Sequence, residues 1–165
     1  MIKYITYLFN TELYMIDLLL GRNSNCPLRR RMLWCTHVLV AAMSGRFLAQ
    51  QNWAVIGDVL NAAKPASRVV STLRGAGKTV HLVNPRDKTG QCKAMLSDIE
   101  GTVDVVDLII NSRDGIKQVE QMVPMGISKI FIQPGAESDE ILSFCSANSI
   151  EVFQGCVMVE FGGPH

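Results

Sequence analysis

The fold is decided by residues 53–57, Trp-Ala-Val-Ile-Gly, a short apolar run that ends in glycine. Consecutive apolar side chains are typical of a parallel strand that is covered on both faces, and a terminal glycine lets the backbone turn close to a ligand. An amphipathic stretch from Pro65 to Leu73 follows. Because a helix N-terminus offers unpaired N–H groups that suit a diphosphate, the sequence predicts a nucleotide-binding α/β domain.

Composition and charge narrow the class of protein. The chain has 165 residues, of which 48% are hydrophobic and 19% charged, so it can bury one ordinary core. Residues 1–52 hold six Lys and Arg against two acids, whereas residues 53–165 hold ten against thirteen. The second part has no basic stripe, so no nucleic-acid partner is expected. The five cysteines form no Cys-x-x-Cys pair, which argues against zinc and disulfides and favours an intracellular compartment.

Residues 1–50 are predicted to be an N-terminal extension, and residues 51–165 to be the folded domain. Charged residues interrupt the apolar first twenty positions, so a membrane-spanning segment is not expected. Within this extension, arginines occur where acids are absent, which resembles a mitochondrial presequence. Basic residues also precede a short apolar run, which resembles a secretory signal. A natural start at Met32 or Met43 is a third interpretation. The compartment stays open between the cytoplasm and mitochondria.

Strands and helices alternate along the domain. Further strands are predicted over residues 79–83, 104–110, 129–133 and 150–153, and helices over residues 67–74, 115–125 and 137–147, with a helical turn at 94–99. Right-handed crossovers between such strands give a parallel sheet. The predicted fold class is therefore α/β, a Rossmann-like three-layer domain whose five-stranded parallel sheet carries helices on both faces.

The candidate ligand site lies beyond the carboxyl ends of the strands, where ligands of such sheets bind. Only Gly57 stands where the dinucleotide fingerprint Gly-x-Gly-x-x-Gly needs three glycines. The second strand ends in Asn84-Pro85-Arg86, whereas an NAD site usually offers an acid to the ribose there. Arg86 and Lys88 would attract a phosphate on the ribose, so NADP or coenzyme A (CoA) fits better than NAD.

No catalytic residue and no metal site is predicted. The histidines have no nearby serine or cysteine at a nucleophile elbow. Four neighbouring acids are separated by strand alternation and loops, so all four are expected on the surface or in caps: Asp98, Glu100, Asp104 and Asp107.

Several short motifs occur together in a fixed order. They are residues 54–57 (AVIG), 65–69 (PASRV), 83–85 (VNP), 96–99 (LSDI), 103–107 (VDVVD), 111–112 (NS), Gly126, 132–135 (IQPG), and Cys156 with Glu160. Through them, residues 53–160 resemble the CoA-binding domain family, whose small stand-alone members are related to the CoA-binding domain of the succinyl-CoA synthetase alpha subunit.

The resemblance implies where CoA is held. The loop after the first strand and the helix behind it hold the diphosphate, and the segment after the second strand helps to hold the nucleotide. In this interpretation Arg68 and Arg86 balance the phosphate charge, and Asn84 orients the nucleotide. The binding residues implied are Gly57, Asp58, Pro65, Ser67, Arg68, Asn84, Pro85, Arg86, Asn111 and Gly135.

The chain also departs from the family pattern. Asp58 and Val59 stand where the family has a small residue and serine, and a carboxylate beside a diphosphate repels it. Ile109 and Ile110 replace a common Phe-Arg pair. Nothing resembles the phosphorylated histidine of the synthetase, so ligase activity is not implied.

Three functions follow as hypotheses. The leading one is a non-catalytic module that binds CoA or acyl-CoA. The second is an NADP-linked oxidoreductase that uses the same crevice. The third is a degenerate interaction module, alone or as a homodimer, which keeps the fold but has lost the ligand because of Asp58.

Overall fold

The structure is a computed structural model that describes residues 44–162, so the predicted extension over residues 1–50 lies largely outside the described residues. The chain divides into two compact units, Met1–Gly45 and Arg46–His165, and every labelled strand and helix below belongs to the second unit. No helix within residues 44–162 is long and apolar enough to cross a membrane.

Five parallel strands form one sheet, which confirms the predicted Rossmann-like α/β fold. The strands are β1 Asn52–Gly57, β2 Thr79–Val83, β3 Val105–Ile109, β4 Lys129–Ile132 and β5 Glu151–Gln154. Their order in the sheet is β2-β1-β3-β4-β5, so the chain leaves β1 towards β2 and returns on the other side of β1 as β3. This reversal creates a crevice at the carboxyl ends of the three strands, where ligands of open α/β sheets bind.

Helices cover both faces of the sheet, as predicted. The helices on the two faces are α1 Pro65–Gly75, α2 Ser112–Val119, α3 Asp139–Ala147 and α4 Val157–Glu160, with 3-10 turns at Leu96–Asp98 and Glu120–Met122. Residues 44–48 are also helical. Side chains from α1 and α4 pack with Trp53 and Val55 of β1, whereas side chains from α2 and α3 pack with Ala54 and Ile56. Alternate residues of one strand therefore enter two different cores, which explains why β1 is apolar at consecutive positions.

The core beneath α1 and α4 is aromatic. Phe131 lies 6.1 Å from Trp53 and 4.8 Å from Phe153 between ring centroids. Phe47 is fully buried in the same cluster, with its ring centroid 5.8 Å from that of Phe153. Phe47 precedes the predicted domain boundary at residue 50, so the core of this unit includes side chains from before that boundary.

Most elements shift by one or two residues from their predicted bounds, and α2, which ends at Val119 rather than at residue 125, and α4 differ most. Helix α2 begins at Ser112 rather than at residue 115, because the Asn111 side chain caps it by accepting a hydrogen bond from the Asp114 N–H at 3.1 Å. Helix α4 was absent from the predicted elements, since four residues are too few to show a helical period.

The position of Asp107 contradicts the prediction that all four neighbouring acids lie on the surface or in caps. Asp98 accepts a hydrogen bond from the Met95 N–H at 2.9 Å, as expected for a capping acid. Asp104 accepts one from the Asn52 N–H at the start of β1, at 2.8 Å. Asp107, in contrast, is fully buried in the middle of β3. Gln133 Nε2 donates to its Oδ1 at 2.8 Å, while its Oδ2 has no hydrogen-bond partner. Burial raises the pKa of Asp107 to about 7, against a smaller opposing effect of the Gln133 hydrogen bond.

Candidate functional site

A cleft of about 450 Å³ lies at the carboxyl ends of β1, β2 and β3, where the strand order reverses. Its walls come from the segments that directly follow these three strands and from the start of α1. A volume of this size is typical of small-molecule sites. The lining residues are Asp58, Lys64, Pro65, Ala66, Asn84, Arg86, Ile109, Ile110 and Asn111.

Gly57 shapes the base of the cleft without being one of its lining residues. A Cβ atom at this position would lie 3.0 Å from the Ile109 carbonyl oxygen and 3.2 Å from the Ala66 Cβ. Only glycine therefore lets the end of β1 pass this close to both β3 and α1. The sequence predicted a backbone turn at Gly57, and the structure shows that close packing against β3 and α1 is what requires glycine there.

The start of α1 forms one wall of the cleft. Lys64 is the N-cap residue and Pro65 is the first helical residue, an arrangement in which the missing proline N–H leaves no donor unpaired. No side chain caps this helix, and its first turn contains no acid. The positive end of the helix dipole and the Lys64 ammonium both favour an anion in this part of the cleft.

The loop after β2 presents Arg86 to the cleft. The Asn84 Oδ1 accepts a hydrogen bond from the Arg86 N–H at 3.0 Å, which fixes the turn. The base of the loop is closed where the Asn84 N–H donates to the Lys93 carbonyl at 2.9 Å. The Asn84 side-chain oxygen therefore has a structural role, and its amide nitrogen is the group left to face a ligand.

Arg86 is paired with an acid on α2. Its Nε donates to the Asp114 Oδ2 at 3.2 Å, and its Nη2 donates to the same oxygen. Asn111 Nδ2 also donates to this oxygen, at 3.0 Å. The hydrogen bond from Asn111 and the contact with Arg86 lower the pKa of the Asp114 carboxyl, so it stays charged near neutrality. This pair joins the loop after β2 to the start of α2.

Charges of both signs meet at the cleft. Lys64 and Arg86 contribute positive charge, whereas Asp58 is an exposed carboxylate in the lining. Asp114 lies just behind Arg86 and offsets its charge. The negative field of Asp58 reaches Cys92, whose pKa is raised by burial first and by Asp87 and Asp58 next.

The structure brings together half of the sequence-predicted site residues. Asp58, Pro65, Asn84, Arg86 and Asn111 line the cleft, and Gly57 lies beneath it. Four predicted residues are not in the lining: Ser67, Arg68, Pro85 and Gly135.

Arg68 and Gly135 have other surroundings. Arg68 is exposed on α1, one turn beyond Lys64, and the Gly135 N–H donates to the Glu137 Oε2 at 2.6 Å.

The most consequential residue missed from sequence is Lys64. A lysine directly before a proline that starts a helix is recognisable as the N-cap position, where a cation adds to the positive end of the helix. Ala66 was missed as a lining residue because it carries no polar group. Ile109 and Ile110 were noted only as departures from the family pattern, although both residues line the cleft.

Comparison with known proteins shows a match to one protein family. The family model described as the CoA binding domain matches residues 51–162. A conserved hypothetical protein from Pyrococcus furiosus is 28% identical, with 67% of this chain and 99% of that chain covered and a TM-score of 0.61. No curated protein gives a significant match.

Two further solved structures share the fold. A hypothetical protein from Pyrococcus horikoshii is 21% identical, with 74% of this chain and 89% of that chain covered and a TM-score of 0.68. A protein from Thermus thermophilus is 22% identical, with 74% of this chain and 96% of that chain covered and a TM-score of 0.66. Since the family match spans well over half of the sequence, this chain belongs to the CoA-binding domain family.

Proposed function

We propose that this domain is a non-catalytic binding module for CoA or acyl-CoA. The observation that supports the proposal is the position of the cleft: it lies where the strand order reverses, and Lys64 and Arg86 line it in a chain of the CoA-binding domain family. Binding in such a cleft uses charge-assisted hydrogen bonds and the N-terminal end of a helix.

The diphosphate of the ligand is assigned to the wall formed by the start of α1. Lys64 and the uncapped helix end supply the positive charge there. The wider segment is also favourable, because residues 59–86 contain five Lys and Arg and no acid. Arg68, one turn along α1, adds to the positive potential without lining the cleft.

The nucleotide is assigned to the part of the cleft between β2 and β3. Asn84 and Arg86 face the ribose and its phosphate, and the lining residues Ile109 and Ile110 offer apolar surface for the adenine ring. Asp58 is an exposed residue of the same lining, and its carboxylate lowers the affinity for an anionic ligand.

The lining residues favour binding over chemistry. The titratable side chains in the lining are Asp58, Lys64 and Arg86. This set can hold an anion, but it contains no thiol, imidazole or hydroxyl nucleophile. Within residues 44–162, no group of three His, Cys, Asp or Glu side chains is arranged to hold a metal ion.

Isothermal titration of the full chain with CoA and acetyl-CoA tests the proposal. Lys64→Ala should weaken CoA binding by about tenfold or more, the range expected when a hydrogen bond between charged groups is removed. Arg86→Ala should weaken it by about threefold to tenfold, the range of an ordinary hydrogen bond, because Asp114 offsets the charge of Arg86. Arg74→Ala is the matched control, because Arg74 is a cation at the opposite end of α1. The proposal is wrong if millimolar CoA gives neither heat nor a thermal shift.

A degenerate interaction module is the second candidate, favoured by Asp58 in the lining and by the engagement of Arg86 with Asp114. A stable homodimer or complex on size exclusion, without nucleotide affinity, would support it. NADPH fluorescence enhancement on mixing would instead favour the NADP-linked oxidoreductase.

A further inference from the structure

Arg86 is not a free cation in this cleft. The Asp114 Oδ2 accepts hydrogen bonds from both Nε and Nη2, which form the edge of the guanidinium that usually grips an anion with two parallel bonds. The opposite donors, on Nη1, remain available, and 71% of the Arg86 side chain is exposed. A ligand can therefore contact Arg86 while the pair with Asp114 persists.

Asp114 is held in place independently of Arg86. It is the third residue of α2, and the Asn111 side chain both accepts from its N–H at 3.1 Å and donates to its Oδ2 at 3.0 Å. These hydrogen bonds fix the carboxylate beside the guanidinium. Only 23% of the Asp114 side chain is exposed, so the carboxylate is also partly shielded from water. A ligand phosphate that approaches Arg86 meets an ion pair whose charges largely cancel.

The pairing changes which ligands Arg86 can distinguish. A phosphomonoester carries about −1.5 to −2 charge at pH 7, and a lone guanidinium would favour it strongly over a ribose hydroxyl. A guanidinium neutralised by Asp114 offers hydrogen bonds but little net charge. Both a phosphate and a hydroxyl can accept such hydrogen bonds.

We propose that Asp114 is a specificity-determining residue of the cleft, which offsets the charge of Arg86 so that CoA and dephospho-CoA bind with similar affinity. The ligand class is then the ADP moiety of the cofactor, with or without the ribose phosphate. Sequence alone gave the opposite expectation, since Arg86 by itself favours a phosphorylated ribose. This inference rests on the proposed function, because it assumes that the cleft holds a CoA-type nucleotide.

The test compares two ligands across four full-length proteins by isothermal titration. The wild-type chain should bind CoA and dephospho-CoA within about fivefold of each other, the range of one surface ion pair. Asp114→Asn keeps the size of the side chain and its acceptor for Asn111 and Arg86 but removes the charge. It should tighten CoA binding by about fivefold and leave dephospho-CoA nearly unchanged. The double variant Arg86→Ala/Asp114→Asn should lose this new preference.

Asp139→Asn is the matched control, because Asp139 is an acid in the first turn of α3 and its loss changes the net charge equally. It should not alter the preference between the ligands. A wild-type preference for CoA greater than about fivefold, or an Asp114→Asn protein with an unchanged preference, overturns the inference while leaving CoA binding intact. If neither ligand binds to wild type or to Asp114→Asn, the proposed function fails, and the inference fails with it.

Discussion

Replacing the buried Asp107 should remove a pH dependence of stability. In the folded domain its pKa is about 7, compared with 3.8 for the ordinary carboxyl group. Because the folded state binds the proton more tightly than the unfolded state, stability from this group is fully present below pH 3.8 and is lost as the pH rises towards 7. Each pH unit in this window costs about 1.4 kcal/mol.

The free energy of unfolding should therefore fall by about 2 kcal/mol between pH 5 and pH 7. This is slightly less than the cost of two full pH units, because the folded-state carboxyl begins to ionise near pH 7. Asp107→Asn keeps the acceptor for Gln133 Nε2 and cannot ionise. In this variant, residue 107 should change the free energy of unfolding by less than about 0.5 kcal/mol over the same pH range. Urea unfolding followed by circular dichroism at pH 5, 6, 7 and 8 measures both proteins.

One control variant, and the behaviour of two other carboxyl groups, make the result specific to Asp107. Glu120→Gln also removes one negative charge, but Glu120 is exposed, so the wild-type pH dependence should remain. Asp114 and Asp87, whose pKa values are lowered, act with the opposite sign and only in acid, outside this window. If the wild-type stability is flat or rises from pH 5 to pH 7, or if the Asp107→Asn protein keeps the wild-type slope, Asp107 is not the source of the pH dependence.

Two further changes test the base of the cleft and the aromatic core. Gly57→Ala should lower the free energy of unfolding by about 1–3 kcal/mol, because the added Cβ meets the Ile109 carbonyl, and it should weaken CoA binding. Gly75→Ala is its control and should be neutral or stabilising by up to about 1 kcal/mol, since nothing lies within 4 Å of a Cβ there. Phe47→Ala should cost about 3–5 kcal/mol by leaving a cavity beside Phe153; an unaltered urea midpoint would place Phe47 outside the core.

The strand pattern of this domain could be predicted from sequence because the three central strands of its sheet are covered on both faces. Strands β1, β3 and β4 are mostly apolar runs of four to six residues, and polar or glycine-containing segments separate them. Helix α4 could not be predicted, because its four residues carry no periodic signal. The burial of Asp107 could not be predicted either, since a single carboxyl in a strand usually indicates an exposed face.

The candidate site was only partly predictable, because its geometry depends on which strands are neighbours. The order of β1, β2 and β3 determines that the segments after them converge, and this places Asp58, Asn84 and Asn111 around one cleft. The contact between Arg86 and Asp114 spans 28 positions of sequence, and no local pattern indicates it. Arg68 is not in the lining, although its charge made it an obvious candidate.

Amide chemical-shift mapping of the full chain during a CoA titration distinguishes CoA binding in the cleft at the ends of β1, β2 and β3 from binding elsewhere. CoA in the cleft should give saturable shifts concentrated at residues 57–66, 84–86 and 109–111, and these shifts should be lost in Lys64→Ala at the same ligand concentration. If saturable shifts are confined to other parts of the domain, or if millimolar CoA gives no shifts, the cleft does not hold CoA.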